Sequence, residues 1–211
     1  MKKFVILLSL LFAFQFAVKA QVAIDDDIVI FNVHLLETFE INVTAGGVQE
    51  ITFLGPDDYN YGVTEAGGIV SGTSTVTVNA TGTWDMTIEA DDFSPLPGFS
   101  GSIDIDNLGF WIESTGSYNF GDELVLTNGN DAPENSLAMP ITGSDVVIIG
   151  NGTGNTGGEA ENTFEFHWEM GTMRANPAGP MNPATMFSQL AAGLFSLGDF
   201  TTTATLTLRK L

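Results

Sequence analysis

Thr75-Val76-Thr77-Val78-Asn79-Ala80-Thr81-Gly82-Thr83-Trp84-Asp85-Met86-Thr87-Ile88-Glu89-Ala90 is the stretch that decides the fold class. Val76, Val78 and Ala80 alternate with Thr75, Thr77 and Asn79; Trp84, Met86 and Ile88 alternate with Thr83, Asp85, Thr87 and Glu89. Successive side chains of a strand point to opposite faces, so this period of two means one packed face and one wet face. The Thr81-Gly82 turn between the runs predicts an antiparallel hairpin. The pattern recurs from Thr38 to Thr44, with Phe39, Ile41 and Val43 inward, and from Thr163 to Met170, with Phe164, Phe166, Trp168 and Met170 on one side. A last strand runs from Thr203 to Leu208. Shorter strands are expected at Ile28 to Val33, Gln49 to Leu54, Leu108 to Glu113, Glu123 to Thr127 and Val146 to Ile149. Strands recurring about every ten residues, separated by turn residues, predict an all-β fold, an antiparallel β-sandwich.

One short helix is expected near the C-terminus. Asn182 suits the N-cap and Pro183 the first helical position. Met186, Phe187, Leu190, Ala191 and Leu194 follow at helical spacing, and Gly193 suits the stop. The stretches Gly150 to Gly158 and Asn176 to Pro183 read as loops, one too glycine-rich and the other too proline-rich for a regular element. Neither splits the chain into two parts that each bury a core, so residues 21–211 are expected to form a single β-sandwich domain.

The first 20 residues read as an export signal. Met1-Lys2-Lys3 is basic, Phe4 to Val18 is apolar apart from Ser9 and Gln15, and Val18-Lys19-Ala20 precedes a mature start at Gln21. The apolar run is shorter than the roughly 20 residues a spanning helix needs, and no membrane span is expected in the mature chain. The destination is therefore the secreted space or the cell surface. Cleavage removes three lysines and leaves Arg174, Arg209 and Lys210 against 26 acidic residues, a net charge of −23. A polyanion of this kind repels phosphate, which excludes nucleic acid as a partner.

The chain has no cysteine, so disulfides, thiolate metal sites and cysteine nucleophiles are excluded. No serine sits in a nucleophile elbow, and no phosphate-binding glycine loop follows a strand. His34 and His167 are distant in sequence, and His167 lies on the polar parity of its strand, where it reads as a lone exposed histidine. No catalytic, cofactor-binding or metal-ligating set is therefore assigned. Calcium is the one ion with candidate ligands, in Asp25-Asp26-Asp27, Asp57-Asp58, Asp91-Asp92, Asp104 with Asp106 and Asn107, and Asn128 with Asn130 and Asp131. These also read as plain acidic turns, since Asp and Asn favour turns through local hydrogen bonds. Trp84 and Trp168 share parity with apolar neighbours and belong to the core. Trp111 stands opposite in parity to Phe110 and Ile112, so it is the candidate exposed aromatic of a carbohydrate site, with Tyr59 and Tyr61 as companions.

Thr73 to Trp84, Met86-Thr87-Ile88 and the closing run Gly198-Asp199-Phe200-Thr201-Thr202-Thr203-Ala204-Thr205-Leu206-Thr207-Leu208 together carry a resemblance to secreted bacterial β-sandwich surface proteins, of the fimbrial-type and spore-coat-U-like kinds. The resemblance implies a structural, adhesive or matrix role without catalysis; the expected partners are further copies of the chain, other surface proteins or polysaccharide. The expected function is thus a non-enzymatic exported structural or adhesive protein, with a carbohydrate-binding module as the alternative. Asp25-Asp26-Asp27 leads into Ile28-Val29-Ile30-Phe31, an apolar strand suited to pairing within its own sandwich or with the open edge of a neighbouring copy.

Protein recovered outside the cytoplasm should begin at or within a few residues of Gln21. N-terminal mass spectrometry that finds Met1 intact on exported protein would refute the cleavage.

Overall fold

The structure, a computed structural model, describes Val33 and residues 36–64, 69–70, 72–117, 137–138, 146–150, 157–172 and 181–211. The strands expected at Ile28 to Val33 and Glu123 to Thr127, the signal segment, and His34 lie outside these residues but for Val33.

The fold is an antiparallel β-sandwich. Its strands are β1 (Phe39–Ala45), β2 (Ile51–Thr52), β3 (Val63–Thr64), β4 (Ile69–Val70), β5 (Thr73–Ala80), β6 (Trp84–Ala90), β7 (Ser94–Pro95), β8 (Leu108–Ser114), β9 (Leu137–Ala138), β10 (Val146–Gly150), β11 (Thr163–Met170), β12 (Phe200–Thr201) and β13 (Ala204–Lys210). The larger sheet has the order β1-β5-β11-β8-β9, with β3 also on β11. The smaller sheet is β10-β6-β13, and two short ribbons pair β12 with β7 and β2 with β4.

The decisive stretch does not form a hairpin. β5 pairs with β1 and β11 in the larger sheet, whereas β6 pairs with β10 and β13 in the smaller one. The chain changes sheets at Thr81 to Thr83. The alternation is right, but both apolar sets face the space between the sheets, which an arch satisfies as well as a hairpin does. The corner is held by Thr38, whose N–H donates to the Thr81 hydroxyl at 2.8 Å while its carbonyl accepts from the Thr81 N–H at 3.1 Å. Nor does β6 have the expected wet face. It is the central strand of its sheet, and Asp85 and Thr87 are buried along with Trp84, Met86 and Ile88; only Glu89 is exposed.

The core between the sheets combines Trp84, Met86 and Ile88 of β6 and Ile148 and Ile149 of β10 with Val76, Val78, Phe110, Ile112, Phe164 and Phe166 of the larger sheet. Trp84 meets Phe164 edge to face across the sandwich, with ring centroids 6.2 Å apart. Phe110 lies 5.7 Å from Phe166 and 5.6 Å from Trp168. Trp168 also donates its indole N–H to the Ser74 hydroxyl at 2.9 Å, which satisfies its one polar atom. Leu206 and Leu208 of β13 pack onto the same core, as do Phe39 and Ile41 of β1. Val43, expected inward, is 51% exposed, because it lies where the β1–β5 register breaks between Val43 and Ala45.

Asp85 is buried because a cation meets it. Arg209, directly opposite on β13, donates from Nε to Oδ1 at 2.7 Å and from its terminal nitrogen to Oδ2 at 2.8 Å. This two-pronged geometry is the strong form of an ion pair. On the other side of β6, Gly150 packs so closely that a Cβ there would lie 2.2 Å from the Cβ of Asp85, and its φ of +147° also favours glycine.

Among the described residues two short α-helices are present rather than one. α1 (Pro56–Tyr61) follows β2, with Pro56 at its start and Asp57 and Asp58 in its first turn. Asp58 accepts from the N–H groups of Leu54 and Gly55 at 2.7 and 3.1 Å. Six residues are too few to show apolar periodicity, so the stretch reads as an acidic turn. α2 (Met186–Ala191) is the expected helix, but Thr185, not Asn182, is its N-cap, its hydroxyl accepting from the Ser188 N–H at 3.1 Å. Asn182 instead closes a turn onto the Ala184 N–H at 2.9 Å and donates to Asp106 at 3.0 Å. Gly193 follows the helix with a φ of +74°. Met186 is buried with Val63, Ile103, Met170 and Phe195 in a second apolar cluster, while Phe187 and Leu194 are exposed.

Trp84→Ala should destabilise the protein by about 3–5 kcal/mol, the usual loss for a large buried aromatic. Urea unfolding measures it; a loss below about 1 kcal/mol would show that this tryptophan does not bridge the sheets.

Candidate functional site

β8 and β11 run side by side in unbroken register, with Phe110 opposite Trp168, Trp111 opposite His167, Ile112 opposite Phe166 and Glu113 opposite Glu165. Since Phe110, Ile112, Phe164 and Phe166 fill the core, the intervening residues must face away from it. That alternation sets Trp111, Glu113, Glu165 and His167 together on the outward face of the larger sheet.

The rings of Trp111 and His167 stack face to face, with centroids 3.7 Å apart and planes within 7° of parallel. The stack leaves Trp111 half-buried and His167 only 7% exposed. His167 is therefore not the exposed histidine that its polar parity suggests. A flat aromatic neighbour covers the ring, which the sequence of β11 alone does not reveal. Its Nε2 points along the sheet toward the glutamates, 3.5 Å from Glu113 Oε2 and 4.0 Å from Glu165 Oε2. Glu113 is half exposed at its side chain and Glu165 about one-third, so this corner opens to solvent.

Cross-strand like charges repel, by about 0.2–1 kcal/mol for a directly opposed pair. Glu113 and Glu165 form such a pair. The Lys and Arg side chains among the described residues are engaged elsewhere, Arg209 on Asp85 and Lys210 on Glu37.

Tyr59 and Tyr61 do not join Trp111. Tyr59 packs its ring 5.0 Å from Phe53 at the second apolar cluster, and Tyr61 stands 75% exposed at the end of α1. The residues that do accompany Trp111 are legible only as two short strand motifs, Trp111-Ile112-Glu113 and Glu165-Phe166-His167. Each places two functional side chains on one face, and the pairing of β8 with β11 is what merges them.

The acidic turns with calcium-ligand composition hold the fold together internally. Asp92 accepts from the Ile105 N–H at 2.8 Å, and Asp106 accepts from the Asn182 amide. Asn107 and Gln189 exchange amide hydrogen bonds of 2.6 and 3.3 Å in the interior, tying the turn before β8 to α2. Burial pushes the Asp106 carboxyl above its usual range; the Asn182 bond opposes this, and the Asp104 and Asp92 charges add to it. Asp25-Asp26-Asp27 and Asn128 to Asp131 lie outside the described residues.

A second surface feature lies on two interlocked loops. Gly101 bridges Phe195, Ser196 and Ser100 exchange hydrogen bonds, and Leu96 N–H donates to the Asp199 carbonyl at 2.9 Å. Leu96, Phe99, Leu194 and Leu197 on these loops are all exposed.

No protein-family model matches the sequence, and no curated protein matches it.

Glu113→Gln should stabilise the protein in chelator-treated buffer at mildly alkaline pH by about 0.2–1 kcal/mol, since it removes one of two facing charges. The gain should shrink as salt is added. A lowered urea midpoint would mean that Glu113 is held by a favourable contact instead.

Proposed function

We propose that this is a non-enzymatic exported protein of the cell surface or extracellular space, with a structural or adhesive role of the fimbrial or matrix-subunit kind. The observation that carries the reading is the setting of the Trp111–His167 stack. It lies on the outward face of a sheet, with its flanking carboxylates open to solvent. Small-molecule and catalytic sites are concave and enclose their ligand. A sheet face that carries a half-buried tryptophan suits contact with an extended partner surface, since aromatic residues are enriched where such surfaces meet. The exposed apolar side chains of the interlocked loops add a second contact region.

The alternative is a carbohydrate-binding module. What favours it is Trp111 itself, a partly exposed indole beside two carboxylates, which supplies an apolar ring face and hydrogen-bond acceptors together. His167 already covers one face of that indole, so a sugar would stack on the other.

Two measurements on the mature protein separate these readings. A structural subunit should form ordered assemblies visible by electron microscopy, and an adhesive one should bind cell or matrix surfaces. A carbohydrate module should stay dispersed and be retained by immobilised polysaccharide. In either binding assay Trp111→Ala should weaken retention about tenfold or more, in line with loss of an aromatic anchor. Protein that neither assembles nor binds any such surface would refute both readings.

A further inference from the structure

We propose that Glu113, Glu165 and His167 form a binding site for a divalent metal ion of the zinc class on the outward face of β8 and β11. The inference goes beyond the surface role above and does not depend on it. Three donor atoms from these side chains, one imidazole nitrogen and two carboxylate oxygens, all lie within 4.8 Å of one another. Around a tetrahedral zinc ion with bonds of about 2.0–2.1 Å, neighbouring donors sit about 3.4 Å apart. The His167–Glu113 separation of 3.5 Å already matches. Glu165 stands off at 4.0 Å from the imidazole, and both carboxylates are exposed enough to swing inward.

The parts divide the work in a way that suits a metal. His167 is the rigid donor. Its ring is buried and clamped in plane by Trp111, so little rotational freedom is lost on binding. Glu113 and Glu165 are the mobile donors, held opposite each other by strand register at an electrostatic cost that a divalent cation reverses into attraction. The donor chemistry selects the ion. A neutral imidazole suits zinc and its first-row neighbours, whereas calcium and magnesium prefer an all-oxygen shell of six or more ligands. Three protein donors leave at least one coordination position for water or for an oxygen of a bound partner.

The test is titration of the full mature chain with zinc chloride in excess magnesium and calcium, which occupy the many other carboxylates. One zinc per chain should bind saturably, raise the melting temperature and change the Trp111 emission through the stacked imidazole. Glu113→Gln and Glu165→Gln keep shape and lie at the surface, so they should fold normally. Each should weaken zinc binding by at least the roughly 10–100-fold that loss of an outer-shell partner costs. His167→Gln should do the same, with its melting curve as the folding control. Zinc bound no more tightly by the wild type than by a Glu113→Gln/Glu165→Gln double variant would overturn the proposal. So would saturable binding that magnesium or calcium displaces.

Discussion

The alignment of β8 against β11 is the constraint on which both the interior and the outward site depend. With Phe110 opposite Trp168 and Ile112 opposite Phe166, four large apolar side chains enter the core; with Trp111 opposite His167 and Glu113 opposite Glu165, the stack and its carboxylates stand outside. A slip of one residue would exchange the two sets. The magnitudes show why it does not occur. Each buried aromatic contributes about 1.5–3 kcal/mol, while facing glutamates cost about 0.2–1 kcal/mol. The interior dictates the pairing, and the charged face carries the resulting repulsion.

The smaller sheet obeys a different rule. Its central strand carries an aspartate that apolar neighbours alone would not tolerate, because an unpaired buried charge costs several kcal/mol. Arg209 meets that charge with two hydrogen bonds, and Gly150 allows the third strand to close over it. The exchange of amides between Asn107 and Gln189 plays the corresponding part at the second apolar cluster, where it fixes α2 against the turn before β8. In both places a polar pair sets position where apolar packing alone would leave a choice.

The strands were legible because two-residue periodicity is a local property. Phe164, Phe166 and Met170 fall inside as their alternation requires, and so do Trp84, Met86 and Ile88. What periodicity cannot show is which strand lies beside which. Trp84's alternation is the same whether β6 turns back on β5 or arches to the opposite sheet, so the predicted hairpin and the observed corner share one sequence signature. The same gap hid the site. Trp111 was legible as an outward aromatic, but its companions turned out to be His167 and two glutamates from strand pairing rather than Tyr59 and Tyr61. The N-cap of α2 moved from Asn182 to Thr185 because both residue types cap helices, and Asn182 is engaged by Asp106.

The bond between Arg209 and Asp85 joins residues 124 apart in sequence, Trp168 reaches Ser74 across 94, and Gln189 reaches Asn107 across 82. Contacts this distant are slow to find, because the chain must close large loops before any of them stabilises it. Folding is therefore expected on the millisecond-to-second scale of non-local β-proteins rather than the microseconds of helical ones. Until both β10 and β13 have paired with it, β6 presents an open strand edge, and such an edge can pair with another chain as well as with its own.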